Sequence, residues 1–178
     1  MAVSKKTELI IDHRFDRKTC RHTLNGKVVV LHCHHYATLY CQLADDCGLL
    51  DARKLLSEVT EDTFHEVLSD YFRQHGIDRI DDRISIAEQY YAAMGLGRMS
   101  VLCAGPEAGE IELVHSHIDE GWIKKWGKTE KAINFITCGY VAALMSSAFG
   151  KATRSFQVME TESMAAGAAR SRFVAVKN

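Results

Sequence analysis

The sequence predicts an α+β fold in which helices pack on a twisted antiparallel sheet. Three observations carry that expectation. Asn25-Gly26 lies between strand-like runs, apolar residues recur at helical spacing from His35 to Met94, and paired strand-like runs flank Gly105-Pro106-Glu107-Ala108-Gly109.

Taken in order, Thr7 to His13 reads as a strand, and Cys20 to Leu24 and Lys27 to Leu31 form a hairpin. Both central positions of a type I′ turn need positive φ, which Asn-Gly supplies. Tyr36, Leu39, Tyr40, Leu43 and Cys47 then share one helical face up to the stop signal at Gly48. A second helix follows the N-cap candidate Asp51. A third begins near Thr60, with the stripe Phe64, Val67, Leu68, Tyr71, Phe72, and ends at Gly76. Asp81 or Asp82 is placed to cap a further helix through Tyr91. Arg98 to Ala104 and Glu110 to His117 read as strands around the single proline. Thr129 to Phe149 is the longest helix candidate, with small residues from Ala142 to Ala148 that suit close packing, within one chain or between two. Thr153 to Met159 and Arg172 to Lys177 complete the strands.

The 178 residues suit one domain spanning 1–178, and no repeat, low-complexity tract or linker divides them. Lys and Arg total 22 against 23 Asp and Glu, so no whole-chain charge draws in nucleic acid or an anionic membrane. Basic groups at Arg14 to Lys18 and Lys124 to Lys131 are interleaved with acids or apolar residues and read as solvated faces. No run reaches the roughly 18 apolar residues of a membrane span, and no leader-like run follows the first lysines, so a cytoplasmic protein is expected. Six cysteines without a Cys-x-x-Cys pair read as free thiols. Phosphate loops, dinucleotide fingerprints, nucleophile elbows and His-Glu-x-x-His are absent.

The C-terminal third carries Phe135-Ile136-Thr137-Cys138-Gly139-Tyr140, Ser146-Ser147-Ala148-Phe149-Gly150 and then Glu160-x-x-Ser163-x-x-x-Gly167-x-x-x-Ser171-x-Phe173. This pattern, clearest over 130–177, resembles the 4-vinyl reductase domain family of hydrocarbon-binding modules, which also supplies the sensor domains of phenol-responsive activators. The resemblance implies the α+β fold shared with haem nitric-oxide-binding domains and vesicle-tethering subunits, a homodimer, and a pocket for apolar or aromatic compounds between helices and sheet. Pocket candidates are Tyr36, Tyr40, Phe64, Tyr90, Trp122, Trp126 and Phe135, although aromatic residues at such positions are more often plain core. In the phenol sensors cysteines at the two serine positions, the glutamate and a helix thiol hold zinc. Here Ser163 and Ser171 replace both thiols. Glu160 remains, and the helix thiol corresponds to Cys138 or to Asn134. A serine hydroxyl stays protonated and binds zinc weakly.

Nine histidines offer a second chemistry. In extended segments His32 and His34 share a face, as do His115 and His117, and two such pairs brought together would hold a transition metal such as zinc or iron, with Cys33 beside them. Polar strand ends are the plainer explanation. The Tyr-x-Ser-x-Arg motif of the haem-binding relatives is absent, which argues against haem. Asp119, Glu120, Trp122 and Trp126 would serve as general base and aromatic wall, or merely as a capped short helix. The leading expectation is a stand-alone sensor or carrier domain for an apolar or aromatic small molecule. The alternative is a metal-dependent reductase or hydrolase using the histidines, and a tethering-type scaffold is a third.

Overall fold

The most apolar stretch of the chain becomes the centre of the fold, and the other elements are arranged to cover it. The computed structural model describes residues 7–31 and 33–178, with residue 34 described by its backbone alone. Strands β1 (His13–Asp16), β2 (Arg21–Leu24) and β3 (Lys27–Val29) form a small antiparallel sheet. Helices α1 (His34–Asp46), α2 (Ala52–His75) and α3 (Ile80–Ala93) follow. A hairpin of β4 (Gly97–Ala104) and β5 (Ala108–Ser116) leads into α4 (His117–Trp126) and α5 (Phe135–Ala148). Strands β6 (Phe156–Glu162) and β7 (Ser171–Lys177) complete a four-stranded antiparallel sheet of order β4-β5-β7-β6. The α+β class and the antiparallel sheet are as the sequence predicts.

Helix α5 buries eleven of its fourteen residues, between the main sheet and α2. The sheet meets it with alternating side chains, Ile111 opposite Phe173 and Gly109 opposite Ala175. Tyr140 projects from α5 against the rings of Phe64 and Tyr91, at 4.7 and 4.8 Å, and donates its hydroxyl to Ala87 O. The small residues from Ala142 to Ala148 are spent on this intrachain packing.

The main departures from the sequence reading are four, and each has a visible physical reason. Residues 7–12 make no strand, because Leu9 N donates to Gln89 Oε1 and Ile10 N to Tyr71 Oη. The two helices expected on either side of Thr60 are one 24-residue helix, the longest in the described chain. Neither Gly nor Pro interrupts it, and the hydroxyls of Thr60 and Thr63 bond back to Leu56 O and Val59 O. Helix α5 starts at Phe135 rather than Thr129, since Ile133 N and Asn134 N are taken by the Glu160 carboxylate, which acts as a cap from across the fold. Strand β6 starts at Phe156, after Arg154 at φ 66° has turned the chain and been fastened to Glu61 and Asp62 of α2. The Asn25-Gly26 turn forms as expected, with φ 48° and 79°. Among the described residues no helix is long and apolar enough to cross a membrane.

At Gly139 the α5 backbone passes so close to α2 that a Cβ would lie 2.2 Å from Ser57 O and 2.8 Å from Thr60 Cβ. Gly139→Ala is therefore expected to cost about 2–3 kcal/mol of unfolding free energy, measured by urea denaturation. A loss below about 0.5 kcal/mol would show that the two helices can separate without penalty.

Candidate functional site

Two features stand out beside α5: an apolar cleft and a buried polar cluster. The cleft, of about 560 Å³, lies where α1, α2, the end of α3 and the start of α4 meet α5. Its walls include Leu31, Ala37, Tyr40, Val59, Phe64, Met94, Leu96 and Ile136, and its polar fixtures are Thr60, Thr63 and His117. Thr60, Thr63 and Phe64 reach it together because positions three and four apart share a helical face. His117 reaches it because Ser116 caps α4, accepting from Asp119 N at 3.1 Å, so that the helix begins at the histidine.

Of the seven pocket candidates, Tyr40 and Phe64 line the cleft and the others lie elsewhere. Tyr36 stands 55% exposed on α1. Tyr90 packs edge-on to Tyr71 in the core. Trp122 is buried with Ile118 and Ile133, and Trp126 leans on it at the surface beneath Lys125 Nζ. Phe135 borders a separate polar cleft on the far side of α2, near the Arg53 guanidinium. Leu31, Thr60, Thr63 and Met94 were not foreseen; the only sequence signal for the two threonines is their place on the Phe64 face of α2.

The histidine pairs do not form two matching strand faces. His115 is the penultimate residue of β5, exposed and 3.8 Å from Glu120, whereas His117 opens α4, so the expected strand alternation ends at Ser116. His34 opens α1 instead of ending a strand, and His32 lies outside the described residues. Cys33 precedes α1 as an exposed cap position. Among the described residues no three His, Cys, Asp or Glu side chains are grouped to hold a metal ion.

The polar cluster gathers the residues of the Glu-x-x-Ser…Ser pattern around Asp119, which is fully buried. Asp119 Oδ1 accepts from Ser163 Oγ (3.1 Å) and Ala165 N (3.0 Å). Its Oδ2 accepts from Ser171 Oγ (2.9 Å) and Asn134 Nδ2 (3.0 Å). Asn134 Nδ2 also donates to Glu160 Oε1 at 2.6 Å, while Glu160 Oε2 takes the N–H groups of Ile133 and Asn134. Asn134 thus joins the cluster from the entry of α5. Cys138 borders the polar cleft, and Cys41 is buried with its thiol pushed up to about 12 by burial. These donors do not fit zinc: two hydroxyls and an amide are already committed to carboxylates, and the thiolates that zinc prefers are missing. Asp119 is thus the acceptor at the centre of a network and is closed off from the role of general base to a ligand.

Burial raises the Glu160 carboxyl above the ordinary carboxylate range, against the opposing hydrogen bonds of Asn134. A group whose folded-state value is raised adds stability that is complete below its unfolded value, near 4.5, and lost as pH rises through the folded one. The wild type should therefore gain stability relative to Glu160→Gln as pH falls from about 7 to about 4.5, in urea unfolding of both chains. A difference independent of pH would remove Glu160 from the titration.

No family model matches the chain, and no curated protein sequence matches it. Solved structures do. The phenol-responsive sensory domain of the transcription activator PoxR, determined with phenol, superposes with a TM-score of 0.77 at 17% identity, over 93% of this chain and 84% of that one. Subunit 3 of a trafficking protein particle complex from Naegleria fowleri, covalently bound to palmitic acid, superposes with a TM-score of 0.51 at 11% identity, over 82% of this chain and 95% of that one. At these identities the shared property is the fold, that of a sensory domain and of a trafficking subunit.

Proposed function

We propose that the chain is a sensor or carrier domain that binds a small, mostly apolar compound, aromatic or alkyl, in the cleft beside α5. The observation that carries this reading is the cleft itself. Its volume of about 560 Å³ falls within the usual range for small-molecule sites, its walls are apolar, and its polar groups are few. His117 and the two threonine hydroxyls would orient one polar group of the ligand while the remainder displaces water from Phe64, Met94 and Leu96. The fold neighbours support the class of ligand, since one was determined with phenol and the other with palmitic acid. A cytoplasmic homodimer goes with this proposal. The exposed apolar residues Tyr36, Leu39 and Leu43 of α1 and Leu55 of α2 support a partner surface.

Thr63 is exposed at the rim, so an indole there would fill the cleft without entering the core. Isothermal titration with phenol and with a para-alkylphenol is expected to show binding to the wild type. Thr63→Trp is expected to weaken it at least about tenfold, with an unchanged circular dichroism spectrum. No binding of either compound at about 1 mM, or equal binding by the variant, would refute the site. Light scattering should give twice the 20.0 kDa chain mass, about 40 kDa, and a single-chain mass would refute the dimer.

A further inference from the structure

We infer that Asp119 takes over, without a metal, the mechanical role that a bound ion would have at this place in the fold: it is a buried anionic cross-link. The residues that the zinc-binding pattern would supply converge here, but the polarity is reversed. Instead of anionic ligands around a cation, hydrogen-bond donors from Asn134, Ser163, Ala165 and Ser171 surround an anion. Those four partners lie 15, 44, 46 and 52 residues from Asp119 along the chain, so one side chain ties the first turn of α4 to the entry of α5 and to both ends of the β6–β7 connection. Each carboxylate oxygen has two donors. Ser171 Oγ in turn accepts from Met164 N, which closes the connection on itself. No lysine or arginine among the described residues pairs with Asp119 or Glu160, so the charge is held by neutral donors alone.

The reversal has a chemical consequence. A metal ion entering the cluster would have to break every one of these bonds and would find hydroxyl and amide groups in place of thiolates. The chain should hold its site with no metal at all, and Asp119 should become dispensable only if a metal site is rebuilt around it.

Thermal melting of the untagged full chain tests this. EDTA or added zinc should leave the melting temperature of the wild type within about 1 °C. Asp119→Asn, which turns two amide hydrogens towards inward-pointing donors, should lower it by about 10 °C. In a chain carrying Asn134→Cys, Ser163→Cys and Ser171→Cys, zinc should raise the melting temperature and cobalt should give thiolate charge-transfer absorption. In that zinc-loaded background Asp119→Asn should cost less than about 3 °C. A wild type that loses about one zinc per chain and several degrees of stability to EDTA would overturn the inference, as would an unchanged melting temperature in Asp119→Asn. Should that variant fail to fold, Ser171→Ala, which deletes one donor, decides: a fall of a few degrees supports the cross-link and no change overturns it.

Discussion

Helix α5 has no polar face, and the rest of the structure follows from that. A helix apolar all round is stable in water only when it is enclosed on every side. Here the four-stranded sheet covers one side and the long α2 another, with α3 closing the end near Tyr140. The enclosure is tight both on the helix and on the sheet facing it. At Gly109 of β5 a Cβ would come within 2.8 Å of Met145, and at Gly139 the α2 backbone leaves no room for one. The few polar side chains of α5 are satisfied locally, Ser146 by Ala142 O and Ser147 by Leu144 O, while Thr137 meets the Tyr91 hydroxyl.

Elements set by local chemistry were legible in the sequence. The Asn25-Gly26 hairpin, the Asp51 cap and the Gly76 stop all stand where turn and cap residues placed them. Elements set by distant partners were not. The start of α5 depends on a carboxylate 26 residues further on, and the apolar residues 7–12 are held by side chains of α2 and α3 instead of a strand. The same division holds for the site. The spacing Glu160, Ser163, Ser171 marked a convergent cluster, but that Asp119 sits at its centre depends on tertiary packing. Of the aromatic candidates only Tyr40 and Phe64 border the cleft, because spacing places a ring on a helical face and the tertiary packing decides what that face meets.

The cleft lies at the seam of two apolar clusters. Phe64, Met94 and Leu96 belong to the larger one, built on the sheet and α5, whereas Ala37 and Ile136 belong to the smaller one around Ile118 and Trp122. Well-packed interiors leave few voids, so a gap of this size marks a boundary that the side chains of one chain do not fill. Its rim is apolar as well, with Val30, Leu31, Tyr40 and Val59 more than half exposed. Apolar surface so placed is a standing cost in water, and it is removed when an apolar ligand or a second chain covers it.

Cleft and polar cluster are joined through a single helical turn. His117 faces the cleft and Asp119, two residues later, anchors the cluster, while Asn134 at the N-cap of α5 joins the cluster and Ile136 within α5 faces the cleft. Two walls of the seam are thus fastened by the same hydrogen-bonded carboxylate. Rigid walls lower the ordering cost of binding, since less conformational freedom is lost when the ligand arrives. The opposite wall, α1 with its exposed Leu39 and Leu43, is held differently. Its buried contacts are small side chains such as Ala37 and Cys41, and its ion pairs, from Asp45 to Arg53 and Lys131, sit in its last turn and reach exposed partners. Each pair joins the nearly buried Asp45 carboxylate to a cation that stays in water, which limits what it contributes. The seam therefore has one wall fastened by a buried, fully hydrogen-bonded carboxylate and one, α1, held by small buried side chains and by ion pairs to exposed partners.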